Sequence, residues 1–534
     1  MATQNPISTF TKLMGWVLQV LEPLLVLAVG PVVVLAERLP QAVVIAALLL
    51  LVLPFGLRFL AAGRTSAPTL ANWPLLCLLL LALSTIWVTP AWAQSWPELA
   101  RLLWGLALLL AVVNWALPLH IQTQPRWIQL DATHAARPTV PAPRLVWLTL
   151  AFVGMGLLLV VVGMLDLQQA NKLPALNRVL AWLPSMAVGP ALGFNPNRVA
   201  GAALPFAPLV LLLLVGPLLP ERRTLGVWLA WLSVKGAALL GALGFGGVLL
   251  LTQSRSAWLG LGVALCCCLT LLGRRGWLLL ALLLALAGGG LLAVGPDRVL
   301  NALTVRTEGE VAATAWIQDR NLAGRFILWE RALNGIADAP LTGMGLAAFT
   351  VLSQQPYAPM PNFHPDPDMS HVHNLLLQVG LDLGVPGLLA FGAFLLMVGL
   401  PLLRLVRQSR GPLRTWSVAL LGAFLAYFVY NLLDAMTLGA RPAMVGWFLW
   451  GLCLAASEVY PASVAVAAPR RKRKRRSTHS GTAPPPAPSP AARPQPTPVA
   501  AAVEPTPPAA PNRQAPAGQS EWERRAWEAT SGRG

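Results

Sequence analysis

HVHNLLLQVGLDLGVPGLLAFGAFLLMVGLPLL, residues 371–403, passes from two histidines to a nearly unbroken apolar run within one short stretch. Residues 372–383 place Leu375, Leu376, Val379 and Leu383 at helical spacing, yet the segment is too short to cross a bilayer and reads as an interfacial helix. Gly384, Pro386 and Gly387 then interrupt the chain, and Pro386 suits the first turn of a new helix. Residues 386–403 are long and apolar enough to span. The histidines are therefore expected at a membrane surface, at the mouth of a spanning helix.

The rest of the chain extends that pattern. Apolar residues make up 56% and charged residues 11%, the composition of an integral membrane protein. By the ~20-residue criterion about twelve spans are expected: 14–36, 41–57, 72–88, 101–119, 145–165, 199–219, 225–251, 257–272, 277–294, 386–403, 416–433 and 443–457. The first run is followed directly by a second, so no cleavable leader is expected. Alternate connections carry the basic residues Arg58 and Arg64, Arg126, Arg137 and Arg144, Arg222 and Arg223, Arg274 and Arg275, Arg404, Arg407, Arg410 and Arg414, and finally RRKRKRR at 470–476. Basic short connections face the cytoplasm, and an even number of spans puts both termini there. The long connections 166–198 and 295–384 then lie on the opposite face, periplasmic in a Gram-negative cell.

Two regions follow: a transmembrane domain over 1–460, with a large outer loop of short helices at about 295–385, and a tail over 461–534. The tail holds twelve Lys/Arg against four Glu, so a large part of the net charge of +18 lies there. Its polybasic run directly after the last span reads as an anchor for anionic lipid, and without interleaved aromatics it gives no support for nucleic-acid binding. The Pro/Ala-rich residues 482–519 cannot bury a core and are expected to be disordered. All five cysteines fall in apolar runs, which excludes a disulfide framework. Glu22 and Lys235 are ionisable residues inside spans; Lys235 is close enough to a span end to snorkel, and Glu22 has no partner that the sequence names.

Polar chemistry gathers in 321–388. Three of the six histidines, His364, His371 and His373, fall within ten residues there, with Asp366, Asp368 and Asn374. A neutral imidazole at His373 has a pKa suited to accepting a proton from a sugar hydroxyl, and the plain alternative is a histidine at a helix end. The His/Asp group also supplies zinc or manganese ligand types, although H-x-H spacing is common by chance. Arg255 follows Thr252-Gln253-Ser254 at the outer end of a span, where positive charge is disfavoured; it suits either a diphosphate or ordinary headgroups. Arg325 shares a face with Trp329 on an amphipathic helix over 322–336, with Glu330 one step round to orient an arginine or to solvate the helix. Arg198, after Asn195-Pro196-Asn197, is a further cationic contact. There is no P-loop and no dinucleotide fingerprint, so the energy for any transfer must reside in the substrate.

TQSRSAW at 252–258, GRFILWERAL followed by PLTGMGLAAF at 324–349, and HN, nine residues, then GVPG at 373–387 together resemble the O-antigen ligase/polymerase superfamily of bacterial membrane glycosyltransferases. The resemblance covers about 14–457. It implies a GT-C-like all-α polytopic fold in the bacterial inner membrane. The implied activity is transfer of a glycan from an undecaprenyl-diphosphate carrier to an acceptor hydroxyl on the periplasmic face, without metal or cofactor. By resemblance, His373 is the general base, Arg255 and Arg325 bind the diphosphate, and Glu330 matches an acidic position; His371 has no catalytic counterpart in it, and His371, Asn374 and Arg198 are expected as supporting residues from their places in the sequence alone. Lipid A-core, a growing polysaccharide and protein are all acceptors within the superfamily. A ligase is the first expectation, and a polymerase or protein O-oligosaccharyltransferase the second. Bicarbonate-transport-related proteins form another branch, but a transporter wants ionisable groups at the bilayer midplane and repeat symmetry, and the sequence has no evident repeat.

Overall fold

A computed structural model describes residues 6–117, 119, 140–165, 194–215, 225–295, 322–352 and 371–460. Among them the regular elements are helices, in the order α1 (Pro6–Val34), α2 (Gln41–Leu50), α3 (Val52–Ala62), α4 (Asn72–Val88), α5 (Trp92–Ala116), α6 (Pro143–Leu165), α7 (Pro196–Ala203), α8 (Phe206–Val215), α9 (Leu225–Thr252), α10 (Arg255–Leu271), α11 (Arg274–Val294), α12 (Leu322–Asp338), α13 (Phe349–Leu352), α14 (Leu375–Gln408), α15 (Gly411–Leu433) and α16 (Met444–Val459). The polytopic all-α class is as expected, because hydrocarbon leaves backbone polar groups no partner except within a helix or closed barrel. Each of the twelve apolar segments contains helix. Among the described residues eight helices are long and apolar enough to cross, and α7 with α8 forms a bent pair, Pro196–Ala203 with Phe206–Leu214, broken by 43°. The segments Asn72–Val88, Arg255–Leu271 and Gly276–Gly290 are shorter apolar helices.

The centre of the bundle is α5, α15 and α16, whose side chains are mostly buried, whereas α1, α3, α6, α9, α11 and α14 carry rows of exposed Leu, Val and Phe suited to lipid. Apolar attraction between helices is weak in lipid, so close packing of small against large residues holds them together. Gly105 of α5 shows this: a Cβ there would stand 2.2 Å from Trp447 Cδ1 of α16. Trp447 in turn meets Trp450 edge to face at 5.1 Å, and Trp450 meets Phe394 of α14 at 5.5 Å.

Polar groups sort to the two ends. At one end Arg144 donates to Trp115 O at 2.9 Å, Arg414 to Leu271 O at 2.7 Å and Lys235 Nζ to Leu213 O at 2.8 Å. These are the positions read from sequence as basic connections and as a snorkelling lysine. Two expectations are corrected here. Glu22 does have a partner: Arg58 Nη2 donates to its Oε2 at 2.6 Å, and Asn114 Nδ2 to its Oε1 at 2.7 Å. Arg58 is accordingly no connection residue but a buried side chain of α3, 36 positions from its carboxylate. Linear distance hid the pair, and burial made it obligatory, since an unpaired charge there is very costly.

The other end contains the break in α14. Its 34 residues would run about 51 Å at ~1.5 Å per residue, against ~30 Å of hydrocarbon. Gly384, at φ 71 and ψ −176, divides it into a short helix and a spanning one. The loop after α12 docks into that break: Met344 N donates to Leu381 O (2.8 Å), Gly345 N to Asp382 O (3.1 Å) and Val385 N to Pro340 O (2.7 Å). Freed backbone groups are thus satisfied inside the protein, as the membrane requires. The short helix is not the surface element expected over 372–383. It starts at Leu375, and Leu375, Gln378, Val379, Gly380, Leu381, Asp382 and Leu383 are all buried. The apolar spacing was read correctly, but the face taken for lipid packs against protein.

A Cβ at Gly384 would lie 2.7 Å from Pro340 O in a left-handed backbone, whereas one at Gly392 on the same helix meets nothing within 4 Å. Gly384→Ala is expected to destabilise the protein by about 1–3 kcal/mol or more and to lower its thermal midpoint in detergent by several degrees. Gly392→Ala should leave the midpoint within a degree; equal midpoints for both variants would contradict this role for the break.

Candidate functional site

The turn that carries the histidines is built by its neighbours. Asn374 caps the short helix, its side chain accepting from Leu376 N at 3.0 Å and Leu377 N at 3.2 Å. Gln378 reaches back to accept from Val372 N at 2.9 Å and forward to donate to Asp382 Oδ1 at 2.9 Å. These contacts hold His373 at φ 57, a conformation that a residue with a Cβ seldom adopts. His371 and His373 are both buried, with ring centroids 4.3 Å apart.

Both rings face Asp434, the residue that ends α15. His373 Nδ1 lies 3.0 Å from Asp434 Oδ1, a direct hydrogen bond, and His371 Nε2 lies 3.7 Å from the same oxygen. Burial would raise the Asp434 carboxyl, but the two imidazoles outweigh it and hold the pKa well below the carboxylate range. Burial pushes His371 down to about 4, helped by the neighbouring His373 and only partly opposed by Asp434, so His371 is neutral near pH 7. A neutral His373 that donates from Nδ1 to this carboxylate presents an unprotonated Nε2, the arrangement of a general base.

The arginines enter from other elements. α10 and α15 run side by side, with Gly260 against Ala426 O and Tyr430 N. Five residues before Gly260 is Arg255, and four after Tyr430 is Asp434, so both stand at the same end of the bundle. Arg325 of α12 places Nη2 3.5 Å from Ser256 Oγ, which brings the 325 and 255 segments together. On the third side, Asn195 caps α7 by accepting from Asn197 N at 2.9 Å, and Tyr430 donates to Asn197 O at 2.7 Å. The charge of the next residue, Arg198, reaches His371. Glu330 is exposed, about 140° round α12 from Arg325 at ~100° per residue, and its charge acts on its neighbour Arg331. His364, Asp366 and Asp368 lie outside the described residues, as does the tail.

Two independent signals coincide with these segments. Among the described residues, the non-glycine positions with positive φ are Gln253, Ala347 and His373. One falls in each of TQSRSAW, PLTGMGLAAF and the HN stretch. Strained backbone persists only where surroundings impose it, and such positions concentrate at functional sites. In addition, of eight buried side-chain atoms without a hydrogen-bond partner among the described residues, five are here, Ser254 Oγ, Trp329 Nε1, Arg331 Nε and Nη1, and Asp434 Oδ2, and the others are Arg58 Nε, Thr85 Oγ1 and Trp96 Nε1. Natural proteins rarely leave such atoms unpaired, and a bound ligand is a standard reason for them.

Sequence reasoning missed Asp434. Asp434 directly follows an apolar span and resembles an ordinary helix-end acid; the only available cue was that an acid at an outer helix end opposite a histidine loop can pair with it. Asn374→Ala is expected to cost about 1 kcal/mol through loss of the cap, with Asn374→Ser or Asn374→Asp restoring most of it. Thermal unfolding in detergent reads this, and an Asn374→Ala midpoint equal to wild type would show that the cap does not hold the turn.

Comparison with curated proteins gave no match. The family model described as O-Antigen ligase matches residues 237–392, which run from α9 through Arg255, Arg325 and His373 into α14. The described helices are those of a multi-pass membrane protein, and its residues 237–392 are similar to the O-antigen ligase family.

Proposed function

We propose that the protein is a glycosyltransferase of the inner membrane, with both termini cytoplasmic. It would move a glycan from an undecaprenyl-diphosphate carrier to an acceptor hydroxyl on the periplasmic face, in the manner of an O-antigen ligase. The observation that carries this reading is a buried, strained imidazole backed by a carboxylate, at the same end of the bundle as Arg255, with Arg325 beside Ser256.

In this reading His373 Nε2 accepts the proton of the acceptor hydroxyl while that oxygen attacks the anomeric carbon. The bond from that carbon to the diphosphate breaks, and its electron pair leaves on the lipid diphosphate. Arg255 and Arg325 meet the developing negative charge in a poorly solvated site, where fixed cations act most strongly. Asp434 keeps the Nδ1 proton in place and stabilises the imidazolium that forms, a positioning role that its 3.0 Å contact supports. Base and clamp on opposite faces of the sugar give inversion. Lipid A-core is the first candidate acceptor, and a growing polysaccharide or a protein uses the same parts. The tail serves separately, its basic run held by anionic lipid.

Purified protein reconstituted with a lipid-diphosphate glycan and candidate acceptors, with products identified by mass spectrometry, tests this. His373→Ala should lose about 10²–10⁴ of the rate, and Arg255→Ala and Arg325→Ala about 10²–10³ each, with normal membrane insertion. Wild-type rates from all three would refute the mechanism. Removal of 477–534 should spare transfer, and loss of activity at normal protein levels would show the tail to be part of the machinery.

A further inference from the structure

The group around Asp434 has a second chemical capacity. His371, His373 and Asp434 each offer one ligand atom, and these atoms lie within 4.8 Å of one another with all three residues buried. Asp434 Oδ1 stands 3.0 Å from His373 Nδ1 and 3.7 Å from His371 Nε2. A tetrahedral zinc ion with bonds of ~2.0–2.1 Å spaces its donors about 3.3 Å apart, between those two values, and the two imidazole nitrogens, within 4.8 Å of each other, would close on the ion as it binds. Two imidazoles and a carboxylate are a common three-ligand set for a zinc ion with one open position. The second oxygen, Oδ2, is buried without a partner and can turn to an ion or to water on it.

We infer that His371, His373 and Asp434 form a site for a borderline divalent transition metal such as zinc, and that metal binding and proton acceptance by His373 exclude each other. Imidazole has two ring nitrogens and, when neutral, one proton. As a base, His373 keeps that proton on Nδ1 against Asp434 and leaves Nε2 unprotonated. Coordination of Nδ1 needs its lone pair, so the proton moves to Nε2, and the nitrogen that would accept the acceptor's proton already carries one. The metal would thus be an inhibitor and not a cofactor. The binding half stands on the geometry alone; the inhibitory half rests on the general-base reading of the preceding subsection.

The test uses full-length protein without a polyhistidine tag, in detergent, and has two arms. In the first, Co²⁺ is titrated while the visible absorption of tetrahedral cobalt is followed. The band should saturate at one equivalent per chain, be displaced by Zn²⁺, and be lost in His371→Gln. X-ray absorption at the zinc edge of wild type, which needs no variant to fold, should show scattering from two imidazoles. No stoichiometric band, or a zinc shell without two imidazoles, would overturn the site whatever the protein's activity. In the second arm the transfer rate is measured against zinc. Occupied protein should retain less than about one hundredth of the rate, with recovery on EDTA. Full activity with zinc bound, or activation by zinc, would overturn the exclusion and with it the role of His373 as base, while leaving the binding result standing.

Discussion

The hydrogen bond between His373 Nδ1 and Asp434 Oδ1 joins the far side of the large loop to the end of α15, across 61 positions of sequence. Both partners are buried, so neither can rely on water, and each makes the position of the other necessary. An isolated Asp434 carboxylate would be unstable beside so much apolar packing. With two imidazoles against it, it remains ionised, and in the proposed mechanism it holds the proton on Nδ1 of His373. The Gln378 contacts, the Asn374 cap and the glycine break all serve to deliver that ring to that oxygen.

The constraint behind this arrangement is the membrane. Irregular backbone at the end of a spanning bundle must find its hydrogen bonds within the protein. The 340–345 loop supplies them to the break at Gly384, and the same docking carries Ala347 and α12 towards the histidine turn. The site is therefore built from exceptions to regular helix, and each exception is stabilised by another. At the opposite end, the Glu22–Arg58–Asn114 network closes α1, α3 and α5 on one another without any comparable backbone strain.

Much of the fold was legible because a bilayer imposes a simple code: long apolar runs become helices, and basic residues gather at their ends. All twelve runs contain helix, and Arg325 and Glu330 lie on the helix that their spacing suggested. Burial was harder to read. Residues 372–383 looked amphipathic enough to lie on a membrane, yet an apolar face says only that something apolar covers it, and here that is protein. Pairings distant in sequence were also invisible. Glu22 with Arg58 and His373 with Asp434 depend on helix neighbours that one sequence does not name. Glu330, read from sequence as orienting an arginine or solvating its helix, is exposed and its charge acts on Arg331.

The account turns on whether a lipid diphosphate is held at the end of the bundle that carries His373. A cryo-electron microscopy structure with a non-transferable polyprenyl-diphosphate glycan bound measures this directly. The account predicts phosphate oxygens within ~3 Å of the Arg255 and Arg325 guanidinium groups, with His373 Nε2 facing the anomeric carbon from the other side. Diphosphate density at the opposite end, beside Arg144 and Arg414, with nothing between the arginine pair and the histidine, would contradict it.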